Sequence, residues 1–250
     1  MNPSAYFRRA ALALLPATLL LAACGKTDTP TPTPPVEQGR VLISHAAAAV
    51  NTQITAFAND QQVGQLNYGQ STAYSNVNAG NALFRINNGS AGIATQTLAI
   101  AKDQNYSIFA YSPTSSIGSA ALVSFTDDLT VPTAGTAKVR LVHLGVSAPT
   151  PVRLSIPAAT PTGSPNDLTT DVAFGAASSF VVVNAGSLTL SVTAAAAPRS
   201  QVIAVGDGTG TGTGSKTFES GKIYTVVVRG IAGTGVPAAQ QLQAVIIANN

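Results

Sequence analysis

Tryptophan is absent from this chain of 250 residues, cysteine occurs once and histidine twice. With Cys24 the only thiol, no intrachain disulfide can form, and stability must come from packed apolar cores. Charged residues are only 9% of the chain. Arg8 and Arg9 lie in a leader expected to be removed, so the 13 Lys and Arg fall to 11, set against 10 Asp and Glu. The mature protein is then nearly neutral, with its cations scattered singly, which excludes the basic stripe that nucleic-acid binding uses. Glutamate stands only at Glu37 and Glu219, too sparse for a Glu-based acid–base pair within one fold. No Gly-x-Ser-x-Gly elbow marks a serine nucleophile. The expectation is a protein that is not an enzyme, with no catalytic residue, no cofactor and no metal site.

Long helical periods are missing too: no window keeps a 3.6-residue apolar repeat for three turns. Instead the chain has 22 Gly, 15 Pro and short runs of Val, Ile, Thr, Ser and Ala. That composition predicts an all-β fold of short strands and many turns. Candidate strands fall at residues 41–45, 53–58, 71–77, 81–87, 96–101, 105–112 and 120–125, bounded mostly by Gly, Asn, Asp or Pro. Residues 223–229 form a largely apolar run suited to a central strand covered on both faces.

The first forty residues are of a different kind. Residues 1–23 carry Arg8 and Arg9, then an apolar run over 10–21, then Ala22 and Ala23 before Cys24, which is the plan of a signal peptide. The run is too short to span a membrane by itself. Leu21-Ala22-Ala23-Cys24-Gly25 resembles the lipobox of bacterial lipoproteins. The resemblance implies that Cys24 is the lipid-attachment residue. Its thiol would take a diacylglyceryl group through a thioether, and the amine freed by cleavage would take a further acyl chain such as palmitate. One acyl chain anchors marginally, whereas two or more hold stably. Residues 24–39 contain T-P-T-P-T-P-P and read as a disordered tether, long enough to set the folded part on the order of 40 Å from the lipid. Gly25 rather than Asp after the cysteine implies, by the same resemblance, the outer membrane, with periplasmic face and cell surface both open.

The folded part is organised around residues 126–143, T-D-D-L-T-V-P-T-A-G-T-A-K-V-R-L-V-H, which close one β-rich unit and open a similar one. Val41-Leu42-Ile43-Ser44-His45 is matched by Val139-Arg140-Leu141-Val142-His143. At one constant offset Tyr68-Gly69 matches Phe174-Gly175, Tyr74 matches Phe180, and Val77-Asn78-Ala79-Gly80 matches Val183-Asn184-Ala185-Gly186. Phe84 and Ile86 align with Leu190 and Val192, and Tyr106 with Tyr224 at a longer offset. Insertions at residues 157–168 and 206–214 account for the drift. The Asn-Ala-Gly triplet suits a tight reversal between strands, because glycine accepts positive φ and asparagine tolerates it. After it, Leu188, Leu190 and Val192 alternate with Thr189, Ser191 and Thr193, predicting a strand with one face inward.

The seam and the Val-Asn-Ala-Gly turn resemble the domain-of-unknown-function family numbered 4397, whose members open on a strand ending in His-Ala and carry an Ala-Gly turn. The resemblance covers both copies, implies tandem occurrence on secreted or lipid-anchored proteins, and carries over no active site. The family's Ser-Pro-Asp-Ala-Pro after the histidine is replaced here by Ala46-Ala47-Ala48-Ala49-Val50 and by Leu144-Gly145-Val146-Ser147-Ala148-Pro149. The expected architecture is two tandem immunoglobulin-like or transthyretin-like β-sandwiches, over residues 40–128 and 138–250. The linker 129–137, with Pro132, would limit but not abolish their swing. A single larger sandwich with the copies as halves is the alternative.

Few side chains compete for a functional role. His45 and His143 occupy equivalent places and are expected to close their strands and hydrogen-bond the following loop. Asp127-Asp128, the only adjacent carboxylate pair, reads as the solvated edge of a turn, with a weak calcium site between the units as the alternative. Residues 206–217 are Gly/Thr-rich, but Ser215 stands where a phosphate loop needs glycine before Lys216, so a hairpin tip is expected. Tyr68, Tyr74, Tyr106 and Tyr111 cluster in the first copy, and their partners in the second imply core positions. The functional expectation is a lipid-anchored cell-envelope protein with a non-catalytic structural, adhesive or protein-binding role, without nucleic acid. A glycan- or peptidoglycan-binding surface module is the alternative.

Overall fold

Period-two alternation of Val, Ile, Phe and Tyr with Ser, Thr and Asn leaves this backbone one way to satisfy its amides while burying one row of side chains, the β ladder. The computed structural model describes residues 35–159, 163–206 and 214–250. Cys24, the leader and most of the tether lie outside them, as do residues 207–213 of the glycine-rich stretch. The first half contributes strands β1 (Gln38–Ala46), β2 (Ile54–Ala58), β3 (Gln61–Leu66), β4 (Ser75–Asn78), β5 (Gly80–Asn88), β6 (Ala91–Ile100), β7 (Asn105–Tyr111) and β8 (Ala121–Asp127). The second contributes β9 (Thr136–His143), β10 (Val152–Ile156), β11 (Asn166–Asp167), β12 (Ala176–Ala177), β13 (Val181–Asn184), β14 (Gly186–Leu188), β15 (Leu190–Ala194), β16 (Gln201–Val205), β17 (Lys216–Phe218), β18 (Ile223–Arg229) and β19 (Gln243–Ala248). Short 3-10 turns at Ala48–Val50 and Ala238–Gln240 complete the described elements.

The fold is all-β and consists of two β-sandwiches of matching topology. In the first, sheet β4-β1-β7-β8 faces sheet β3-β2-β5-β6. In the second, β13, β9, β18 and β19 take the places of β4, β1, β7 and β8, while β11-β10-β15-β16 repeats β3-β2-β5-β6. The parallel pairing of β1 with β7 recurs as β9 with β18. Each sandwich has its own core. Val41 and Ile43 of β1 meet Ile108 of β7, Ala56 of β2 and Phe84 and Ile86 of β5. Val139 and Leu141 of β9 meet Val226 and Val228 of β18, Leu154 of β10 and Val192 of β15.

The opposite faces of β1-β7-β8 and β9-β18-β19 are apolar as well. Ala46 and Phe109 from the first sandwich and Val142, Leu144, Val227 and Val245 from the second form a further buried cluster. The two inner sheets are thus covered on both sides, which is why residues 223–229 read as largely apolar. Residues 36–250 make one compact unit of four sheet layers. This face-to-face packing replaces the swing expected about residues 129–137, because moving either sandwich would expose Phe109 and Val227 to water.

Three local expectations need correction. The Asn-Ala-Gly triplets do not turn hairpins: β4 pairs with β1 and β5 with β2, so the chain passes from one sheet to the other at Ala79. Positive φ at Gly80 (114°) and Gly186 (131°) makes that step possible. The strand expected over 71–77 begins only at Ser75, and the polar edge strand β3 precedes it, its Gln and Gly residues giving no apolar signal. The run after Gly186 is interrupted between β14 and β15. Its polar row is buried too, Ser191 and Thr193 lying almost fully out of solvent.

Candidate functional site

A cluster of polar and aromatic side chains forms where the two inner sheets meet, and the repeat explains its geometry. Tyr111 stands five residues after Tyr106, as Arg229 does after Tyr224, so the two are equivalent. Across the junction Tyr111 packs edge-on against Phe174 with ring centroids 5.9 Å apart. In return the Arg229 guanidinium stacks 4.7 Å over the ring of Tyr68, the residue equivalent to Phe174. Each aromatic also meets its own histidine edge-on, His45 with Tyr68 at 5.6 Å and His143 with Phe174 at 5.8 Å. Equivalent residues Ala46 and Leu144, and Phe109 and Val227, share the apolar cluster. The contact has the reciprocal logic of a two-fold dimer interface, here built between two halves of one chain.

One place breaks the symmetry. Arg140 stands where the first copy has Leu42, and Asp127 where the second has Asn249. The Arg140 and Asp127 side chains are 2% and 0% exposed, and Nη2 lies 2.6 Å from Oδ1. That approach is off the hydrogen-bond line, since Oδ1 itself accepts no hydrogen bond. Around the pair the hydrogen bonds close into a ring. Tyr74 Oη and Ser107 Oγ each donate to Asp127 Oδ2 at 2.5 Å. Asn249 Nδ2 donates to Tyr74 Oη at 3.1 Å, and Thr225 Oγ1 donates to Asn249 Oδ1 at 2.7 Å. Arg140 Nε donates to Thr225 at 3.0 Å and Nη2 to Ser107 at 3.2 Å, while Phe180 covers the guanidinium at 4.5 Å. Burial, then the Asp127 charge, pushes the Tyr74 phenol up to about 12, so it stays a donor at any physiological pH. A paired, desolvated carboxylate of this kind links the two surfaces and is closed to solvent.

His45 and His143 are fully buried in different sandwiches. Nε2 of His45 donates to Thr52 O at 3.0 Å, and Nε2 of His143 to Pro149 O at 3.2 Å, so each ring ties its strand to the following loop. Burial lowers both pKa values, that of His143 to about 4. Asp127 is not the solvated edge of a turn: it holds Arg140, while its neighbour Asp128 pairs with Lys138 at 2.6 Å on the surface. Among the described residues no three His, Cys, Asp or Glu side chains gather to hold a metal ion. Tyr106 is a core residue whose Oη accepts from Ala101 N, as that of Tyr224 accepts from Glu219 N. Cys24 and residues 207–213 fall outside the described residues.

Sequence reasoning missed two groups. Arg140 was available as a cation inside an otherwise apolar strand, Val139-Arg140-Leu141-Val142. On the outer face of the second sandwich, Asp167 joins Arg153 (2.7 Å) and Arg199 (2.5 Å), over Ser155 and Thr193. These arginines hold the Asp167 carboxyl far below the usual range and explain why the polar row of β15 is buried. No spacing rule would have joined the three residues, since the loop between β10 and β11 and the turn after β15 bring them together.

Comparison with known proteins adds a family match and weak structural likenesses. The sequence model of the family described as "Domain of unknown function (DUF4397)" matches residues 39–151, covering the first sandwich and the opening strand of the second. No curated protein matches the chain. Among solved structures, the tip fimbrial protein Mfa3 of Porphyromonas gingivalis is 8% identical with a TM-score of 0.27, over 84% of this chain and 99% of that one. A leucine-rich repeat protein of Bacteroides thetaiotaomicron is 12% identical with a TM-score of 0.18, over 80% of this chain and 26% of that one. Superpositions at this level do not establish a shared architecture.

Two outcomes follow from the junction. Arg140→Leu leaves Asp127 buried without a cation and is expected to cost about 3–5 kcal/mol in urea unfolding. Adding Asp127→Asn, which restores the pair found at the symmetry-related place, should recover most of that loss; additive losses would show that the two side chains are not coupled. His143 is neutral in both states above its ordinary pKa. As pH falls from about 6.5 to 4 the unfolded chain takes up a proton that the native ring refuses, so stability drops by roughly 1–3 kcal/mol. Below that window the loss from this group is complete. His143→Gln should flatten the slope between those pH values, and an unchanged slope would assign it elsewhere.

Proposed function

We propose that this protein is a non-catalytic, lipid-anchored component of the bacterial cell envelope. It presents the outer surfaces of two fused β-sandwiches to an envelope or extracellular partner. The observation that carries the non-catalytic part is the fate of the buried acid and its partners. Asp127 and Arg140 pair inside the junction, and Nε2 of each fully buried histidine bonds a loop carbonyl. What remains for recognition is the outside: the sheet faces away from the junction and the loops at its rim. The outer face of β2-β5 is polar and mixed, with Arg85 stacked 4.3 Å over Phe57 and Leu83 exposed beside it, a composition common in recognition surfaces.

Both sandwiches are, on this reading, copies of the domain whose family model matches residues 39–151. Matching strand order and the reciprocal junction contacts support this. The anchor rests on Leu21-Ala22-Ala23-Cys24, and the tether on the Pro/Thr run after it. Acylated at Cys24, the chain would sit in the outer membrane, and residues 24–39 would hold the sandwiches clear of the lipid.

Fractionation of cells expressing the full chain tests the anchor. The natural protein should be recovered with membranes and released by detergent, and Cys24→Ser should move it to the soluble fraction. Equal membrane retention of both forms would contradict acylation at Cys24.

A further inference from the structure

At the rim of the junction, Ala48 of the first sandwich joins Val146 and Ile231 of the second in a small apolar cluster, against which Tyr68, Phe174 and Val236 pack. Beside it, the loop between β7 and β8 and the loop between β9 and β10 leave a cleft of about 380 Å³, and Val146 and Phe174 belong to both. Its size lies within the range of small-ligand sites, and a junction of two domains is where such sites concentrate.

The lining has a consistent chemistry. Phe174, Val146 and Pro113 supply apolar surface, while Ser115 and Ser147 supply hydroxyls, and no charged side chain lines the cleft. Among the described residues neither serine hydroxyl is engaged by another protein group. Ser147 has a second peculiarity: its φ is +59°, in the left-handed region where glycine is the unstrained choice. The equivalent residue of the first sandwich is Ala49, which sits in the 3-10 turn Ala48–Val50 without positive φ. Ser147 is thus the one residue lining the cleft that holds a hydroxyl on a left-handed backbone.

We propose that this cleft binds a small neutral polyhydroxy ligand, of the class of a terminal sugar residue. Phe174 would face the ligand's C–H surface, and Ser115 and Ser147 would exchange hydrogen bonds with its hydroxyls. A phosphorylated or carboxylated ligand is disfavoured because no cation lines the cleft to replace its hydration. The site makes the envelope protein described above a saccharide-binding one, yet it needs neither the lipid anchor nor the tether. Its failure would leave the Cys24 experiment untouched.

Saturation-transfer NMR on the intact protein tests it, with glucose, galactose, mannose and N-acetylglucosamine as probes and glucuronate as the charged comparison. The expected result is transfer to at least one neutral sugar and weaker or no transfer to glucuronate. Ser115→Ala combined with Ser147→Gly should weaken that affinity roughly 5- to 50-fold, as two lost neutral hydrogen bonds require. The glycine relieves strain, so thermal stability should hold or rise, and Ser115→Ala alone, in an exposed loop, provides a second variant with native folding. Absence of transfer to every neutral sugar, preference for glucuronate, or affinity unchanged in both variants would overturn the proposal.

Discussion

The contact between Asp127 and Arg140 is the constraint around which the two sandwiches are arranged. Without it the junction would be nearly symmetric, an apolar face meeting its own repeat. Such a face is equally able to pair first copy with first copy, or second with second, in neighbouring molecules. Like-with-like pairing of first copies would bury Asp127 against Leu42, and of second copies Arg140 against Asn249. Each would leave an unpaired charge out of water, at several kcal/mol. A buried ion pair adds little net stability over an apolar pair of the same shape. Its effect here is to make one pairing acceptable and two unacceptable.

The same packing decides what the protein can present. Because both inner sheets are covered on both faces, the functional surface is limited to the two outer sheets, the strand edges and the rims of the junction. The rims are rigid in a way that isolated loops would not be, since His45 and His143 pin the loops that form them. Small differences between copies, such as Ser147 against Ala49 or Phe174 against Tyr68, then make the two halves of a symmetric frame unlike at the rim.

Much of the architecture was legible in the residues. The all-β class followed from short Val-, Ile- and Thr-rich runs between glycines and prolines, and the matching of Val77 with Val183 fell on β4 and β13, which pair alike with β1 and β9. The double coverage of β18 was visible as a run apolar on both faces except at Thr225 and Arg229. The sheet crossing at Gly80 was not legible, because the residues that permit positive φ are the same for a hairpin and for a crossover. The edge strand β3 was hidden by its polar composition. The junction was legible only in hindsight: Arg140 inside an apolar strand and Asp127 at a strand end are each ordinary, and only the pairing of faces brings them to 2.6 Å. Sequence spacing reports which side of a strand a residue occupies, but not what lies opposite that side.

The two sandwiches fold and unfold as one body because they share a buried face. Differential scanning calorimetry of the purified protein addresses it directly. A single transition is expected, with calorimetric and van't Hoff enthalpies that agree. Two resolved transitions, or a calorimetric enthalpy about twice the van't Hoff value, would mean that each sandwich melts alone and would contradict it.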